Sequence, residues 1–208
     1  MAATLNDSDI RGSLHRKVLR KHHARDNTLV VDELGLNHGR CRADVAVING
    51  HLIGFEIKSD EDTLARLEEQ ISAYDATFDR STAVVGCRHV GKAKVMLPPW
   101  WGIMLARRGP RGAVRFERIR HATRNDSVDP FSVARLLWRD EAEAILAGGD
   151  VPRKVLRQPR AVLYKELVKM LPLRELRKQV RDCLLNRKKW RRLQSPSPSG
   201  GLCRHIAT

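Results

Sequence analysis

Apolar positions along this chain change period several times, and each change predicts an element. From Asn6 or Asp7, either of which can cap a helix, Ile10, Leu14, Val18 and Leu19 recur at helical spacing. That helix runs out in the basic, His-rich stretch Lys21-His22-His23. Leu29-Val30-Val31, leading to Glu33-Leu34, is short and β-branched and predicts a strand with Glu33 near its end. Arg42 to Ile48 and His51 to Lys58 predict two more strands around Asn49-Gly50, a strong hairpin signal. Leu64, Leu67, Ile71, Tyr74 and Phe78 then recur every three or four residues, predicting a helix capped by Asp60 or Asp62. Thr82 to Gly86 reads as a strand, and residues 89–96 as a short helix ended by Pro98-Pro99. Trp101 to Ala106 and Ala113 to Ile119 read as a peripheral hairpin. Phe131 to Leu146 predicts one helix, ended by Gly148-Gly149, and a basic connector leads to a last helical pair divided at Pro172.

The hairpin's loop length decides which side chains meet. A two-residue turn would pair Ile48 with His51 and set Asp44 among Ile53, Phe55 and Ile57. Burying an unpaired carboxylate there costs several kcal/mol, roughly. A three-residue loop, Ile48-Asn49-Gly50, pairs Val47 with His51 instead and puts Asp44 opposite Gly54, diagonal to Glu56. Asp44, Glu56 and Lys58 then share one face, and Val45, Val47, Ile53, Phe55 and Ile57 the other. An odd-length loop, or an equivalent bulge, is therefore expected.

Composition divides the chain electrostatically. Residues 1–150 hold 23 Lys/Arg against 21 Asp/Glu, whereas residues 151–208 hold 16 against 3. The first segment suits an ordinary domain and the second a footprint for a polyanion, nucleic acid being the commonest. The expected organisation is a core over residues 1–126, a basic helical extension over 127–193 and a disordered tail over 194–208, Ser/Pro/Gly-rich at its start. Cys41, Cys87, Cys183 and Cys203 form no C-x-x-C pair, so neither a zinc site nor a disulfide framework is predicted. With no leader pattern and no apolar run of spanning length, the expectation is a soluble, cytoplasmic protein without a membrane partner.

Glu33, Asp44 and Glu56-Ile57-Lys58 carry the chemistry. Carboxylates on neighbouring strands can hold a hard divalent cation through oxygen, and such a cation can polarise a phosphate and acidify a water. Lys58, two residues beyond Glu56, points to the same side of a strand and can orient that water. Gln70 lies one turn before Tyr74, beside the apolar stripe of the following helix, where Tyr74 reads mainly as core. His22, His23, His38, His51 and His89 share no ligand spacing, although His38 lies in the loop after Glu33. Trp100-Trp101 reads as packing at a sheet edge rather than as a base-stacking platform.

In order and spacing these residues resemble the PD-(D/E)xK nuclease-like superfamily. Asp44 matches the motif Asp, Glu56-Ile57-Lys58 the (D/E)xK, Glu33 the additional upstream acid, and Gln70-x-x-x-Tyr74 the Q-x-x-x-Y element of the RecB-like branch. The stretch from Glu33 to Asp60, with Pro99-Trp100-Trp101-Gly102 and Leu137-Trp138-Arg139, is also similar to a bacterial family within that superfamily, over nearly the whole chain. One departure is Ala43 where proline precedes the motif Asp, a position that varies among members. The resemblance implies a restriction-endonuclease-like core, a helix, a three-stranded meander, a helix and a strand. It also implies hydrolysis of phosphodiester bonds with Mg2+ or Mn2+ held by Asp44, Glu56, the Ile57 carbonyl and Glu33, Lys58 orienting or deprotonating water, and Gln70 touching the metal-bound water or a phosphate.

A metal-dependent nuclease acting on DNA is the leading expectation, with Arg177, Lys178, Arg181, Arg187, Lys188, Lys189, Arg191 and Arg192 gripping the backbone. Two rivals stand beside it: a catalytically silent nucleic-acid-binding or adaptor protein on the same fold, and an RNA-directed nuclease. Cutting both strands of a duplex would call for a homodimer, a protein partner or two binding events.

Overall fold

Six β-rich runs and the meander's Gly-bearing turns make a sheet here, with helices covering apolar side chains on both of its faces. The computed structural model describes residues 4–187. A first helix, α1 (Asp7–Ser13), is capped by Asn6, whose side chain accepts from the Asp9 amide. It widens into a π-helical turn, Leu14–Val18, and ends in α2 (Arg20–His23). The apolar spacing explains the π turn. Ile10, Leu14 and Leu19 are all fully buried, and the five-residue step from Leu14 to Leu19 stays on one face only if the turn is wide, as the Leu19 N–H to Leu14 carbonyl bond of 2.9 Å makes it.

Strands β1 (Leu29–Leu36), β2 (Cys41–Ile48) and β3 (Leu52–Lys58) form the meander. Helix α3 (Leu67–Asp75) crosses to β4 (Arg80–Val85), and α4 (Val90–Met96) crosses to β5 (Gly102–Arg108), which turns back into β6 (Val114–Arg120). All six lie in one sheet in sequence order, β3, β4 and β5 parallel and the other neighbours antiparallel. The fold is α/β, a mixed sheet between helices. The residues expected as a peripheral hairpin are integral to it, because β5 pairs along β4 and carries the buried Ile103, Met104 and Ala106.

Helices α5 (Pro130–Ala134), α6 (Arg139–Ala147), α7 (Arg153–Leu156), α8 (Arg160–Met170) and α9 (Leu173–Asn186) complete the described chain. The single helix expected over Phe131 to Leu146 is two, since Trp138 is extended and its N–H is taken by the Glu141 carboxylate at 2.7 Å, which starts a new helix. Asp60 and Asp62 do not cap α3: Asp62 accepts from the Ser59 amide and Asp60 from the Arg88 amide, so the helix begins only at Leu67.

Two apolar layers sandwich the sheet. Leu5, Ile10, Leu14 and Leu19 cover Val45, Val47, Phe55 and Ile57 on one face. On the other, Leu67, Ile71, Tyr74 and Phe78 share a continuous core with Leu163, Tyr164, Leu167, Leu176, Val180 and Leu184. The basic helical segment after residue 127 therefore packs into the same core as the sheet, rather than sitting beside it as an appendage. Asn125 sews the junction, donating to the carbonyls of Asp75 (2.7 Å) and Phe78 (2.9 Å).

Candidate active site

The β2–β3 loop is odd in length, as the burial argument requires, with its register one step from the expected one. Ile48 pairs with Leu52 and Val45 with Phe55, leaving Asn49, Gly50 and His51 as the loop. Continuing that register brings Asp44 alongside Glu56 rather than Gly54. The β1–β2 register, Asp32 with Val45 and Leu34 with Ala43, likewise sets Glu33 across from Asp44. Three acids thus occupy one row across three adjacent strands.

Strands β1 and β2 both turn at this row. Leu29 and Val31 face the large helical layer, and so do Leu34 and Leu36, which strict alternation forbids. Glu33 absorbs the switch with φ of 56°, a left-handed conformation uncommon outside glycine. In β2 the facing changes across Asp44: Ala43 and Ala46 lie in one layer and Val45 in the other. The turn frees the Asp44 carboxylate to take over the ladder, and its Oδ2 accepts the Ile57 N–H at 2.6 Å. The Ile57 side chain stays in the apolar layer, so only its main chain is offered to the site.

Glu56 is fully buried, with Lys58 Nζ donating to its Oε1 at 2.7 Å and Tyr74 Oη donating to its Oε2 at 2.7 Å. Tyr74, also fully buried, accepts the Asp44 N–H at 3.3 Å and so couples the two acidic strands. Its role is larger than the sequence suggests. Gly54 makes this possible: a Cβ there would stand 2.7 Å from the Tyr74 ring and 2.8 Å from Phe78. Burial, then the neighbouring Asp44 charge, pushes the Glu56 carboxyl up to about 7. Burial also raises Asp44, against the Ile57 N–H and the Arg11 charge.

Arg11, which the sequence does not single out, enters from α1. Its guanidinium lies 3.2 Å from Asp44 Oδ1, 3.1 Å from Glu33 Oε1 and 3.0 Å from Asp7 Oδ1, and it donates to the Asp44 carbonyl. Burial works against its charge, but Asp7, Asp44 and Glu33 more than offset that and raise its pKa. The signal in the sequence was faint: a single arginine beside the buried Ile10, four residues after Asp7. Gln70 sits on α3 one turn before Tyr74, and its Oε1 is buried without a hydrogen-bond partner among the described residues.

As donors, Asp44 and Glu56 fit a hard divalent cation: both are oxygen ligands raised by burial, and the Asp44 charge raises Glu56 further, so a cation would relieve that repulsion. Among the described residues no group of three or more His, Cys, Asp or Glu converges as a ready cage, Glu33 being turned to Arg11 and, at 3.5 Å, Arg42.

The expected basic grip on α9 is largely engaged elsewhere. Arg187 is buried, paired with Glu141 at 2.6 Å, bonded to the Leu136 carbonyl at 2.7 Å and stacked over Trp138. Arg177 lies 3.3 Å from Asp79 with its side chain mostly buried. An arginine held this way cannot reach a backbone phosphate, so both leave the expected interface. Lys178 is exposed and Arg181 half-buried; Lys188, Lys189, Arg191, Arg192 and the tail over 194–208 lie outside the described residues. His38 stacks on Tyr164 and Trp101 is core, its Nε1 donating to Asp75 at 2.8 Å. No helix among the described residues is long and apolar enough to cross a membrane.

Residues 1–195 match the family described as Bacteriophage P4 protein cII, and the chain belongs to that family. Protein cII of Enterobacteria phage P4 is 27% identical over 146 residues, 70% of this chain and 54% of that protein, so the chain spans about half the length of the curated relative it matches. Among solved structures, the SPO1766 protein of unknown function from Silicibacter pomeroyi is similar at 23% identity and a TM-score of 0.40, over 66% of this chain and 89% of that one.

Proposed function

We propose that this member of the cII family is a metal-dependent nuclease, acting on DNA, whose meander, α3 and β4 form a PD-(D/E)xK, restriction-endonuclease-like core. The observation that carries the reading is the trio of half-buried Asp44 with buried Glu56 and Lys58 on adjacent strands, Glu56 being held by both Lys58 and Tyr74 at 2.7 Å. A magnesium or manganese ion held by Asp44 and Glu56, with the Ile57 carbonyl as the resemblance implies, would supply polarisation of the phosphate and a more acidic water. The chain's residues do the rest. Tyr74 and the Ile57 N–H fix the two carboxylates, so little reorganisation is needed on binding. Lys58, buried beside Glu56, orients the attacking water and holds a proton near it. Gln70, one helical turn before Tyr74, has a buried carbonyl oxygen with no partner among the described residues and would accept from that water. Glu33 takes a supporting place through Arg11.

The test is cleavage of labelled single-stranded DNA, duplex DNA and RNA with magnesium, manganese or chelator. Metal-dependent cutting, reduced by roughly 100-fold or more in Asp44→Asn and Lys58→Ala, is expected. Binding without cutting by folded wild type would select the second reading, a silent nucleic-acid-binding protein. One observation favours that reading: Arg11 and Lys58 already neutralise Asp44, Glu33 and Glu56 in part without any metal.

A further inference from the structure

A cleft of about 490 Å³ lies away from the acidic row, between the π-helical turn with α2 and strands β5 and β6. Lys17, Arg20, Lys21 and Arg118 line it, and Met104 and Phe116 supply apolar surface. Among the described residues none of these four cations has a carboxylate within 4.0 Å; Lys17 donates only to the Val114 carbonyl. Arg20, Lys21 and Arg118 are exposed, Phe116 is half-buried and Met104 buried. The π turn builds this arrangement, since it keeps Leu19 in the core while the cations around it stay outside.

The geometry points to a subsite for one nucleotide unit of a single-stranded polynucleotide, its phosphates on the four cations and its base on Phe116 and Met104. Four cations in one recess, none with a carboxylate partner among the described residues, repel one another and favour a multiply charged anion. An aromatic ring set among them is the pairing by which single strands are held without sequence preference, stacking below and phosphate contact around. With Arg177 and Arg187 engaged in the core, this cleft rather than α9 carries the grip on the backbone. The inference rests on the reading that the chain handles nucleic acid and not on its cutting it.

The experiment measures fluorescence anisotropy of a labelled oligothymidylate about 12 nucleotides long with the full chain in chelator, across a salt series, with melting curves verifying that each variant is folded. Wild type should bind. Lys21→Glu with Arg118→Glu should weaken binding by about tenfold or more and lower the salt slope by roughly 1.4, two lost phosphate contacts on a single strand. Phe116→Leu, which keeps most of the volume, should weaken it by about fivefold or more through lost stacking. The milder Lys21→Gln with Arg118→Gln should move affinity in the same direction. Lys178→Glu with Arg181→Glu should leave it within about twofold. Failure of wild type to bind, cleft variants that bind as wild type, or a larger loss from the α9 pair would each overturn the inference. Parallel reactions with magnesium separate it from the nuclease reading: cutting that survives in cleft variants with unchanged binding sinks the subsite alone, and cleft-dependent binding without cutting sinks the nuclease alone.

Discussion

Glu56 is the residue on which the site's chemistry and its stability meet. Its carboxyl is buried beside Asp44 and raised from 4.5 to about 7, so between those values the folded chain keeps a proton that the unfolded chain has released. The unfolded state then binds fewer protons, and stability falls as pH rises through that window, flattening above about 7. One pKa unit is about 1.4 kcal/mol, so the window can hold up to ~3 kcal/mol. Glu56→Gln cannot ionise. In metal-free buffer the unfolding free energy of this variant, relative to wild type, should therefore climb from pH 4.5 to 7 and stop climbing beyond it, as read from denaturant titrations. A difference independent of pH would show that the raised carboxyl is not Glu56. The acids at this site are legible in the sequence because strand pairing and a carboxylate's aversion to apolar surroundings dictate them. Arg11 is not, because its partners lie 22 and 33 residues away at Glu33 and Asp44, and nothing local marks the contact.

At the scale of elements, α3 and β3 approach closely only because residue 54 has no side chain. Gly54→Ala would put a methyl 2.7 Å from the Tyr74 ring and 2.8 Å from that of Phe78, both rings fully buried. Overpacking of this kind costs about 1–3 kcal/mol. The expected outcome is a lower melting temperature together with a loosened Tyr74–Glu56 bond, visible as a changed tyrosine absorbance on pH titration. An unshifted melt would mean α3 tilts away at no cost. Element types were legible from periodicity through β4, and so was the need for an odd β2–β3 loop. What failed was always tertiary. Nothing in β5 and β6 alone says that they extend the sheet, and Asp60 and Asp62 look like helix caps until Ser59 and Arg88 claim them. Charge counting likewise marked α9 as a phosphate grip, but charge per segment does not say which arginines face inward.

For the whole molecule, that inward arginine decides how the chain melts. Arg187 closes α9 onto α6 and the α5–α6 junction, its guanidinium 2.6 Å from Glu141 and 2.7 Å from the Leu136 carbonyl, with only 4% of its side chain exposed. Removing one member of a buried pair leaves the other uncompensated, at about 3–5 kcal/mol, whereas replacing both by apolar groups is often near neutral. Glu141→Leu should thus destabilise far more than Glu141→Leu with Arg187→Leu, a non-additivity that a double-mutant cycle measures directly. Because Leu163, Leu167, Leu176 and Leu184 share one core with Ile71, Tyr74 and Phe78, the loss should lower a single cooperative transition in which helices and sheet melt together. An early transition confined to the C-terminal helices, with the sheet's own melting unmoved, would instead restore the picture of an appended basic segment.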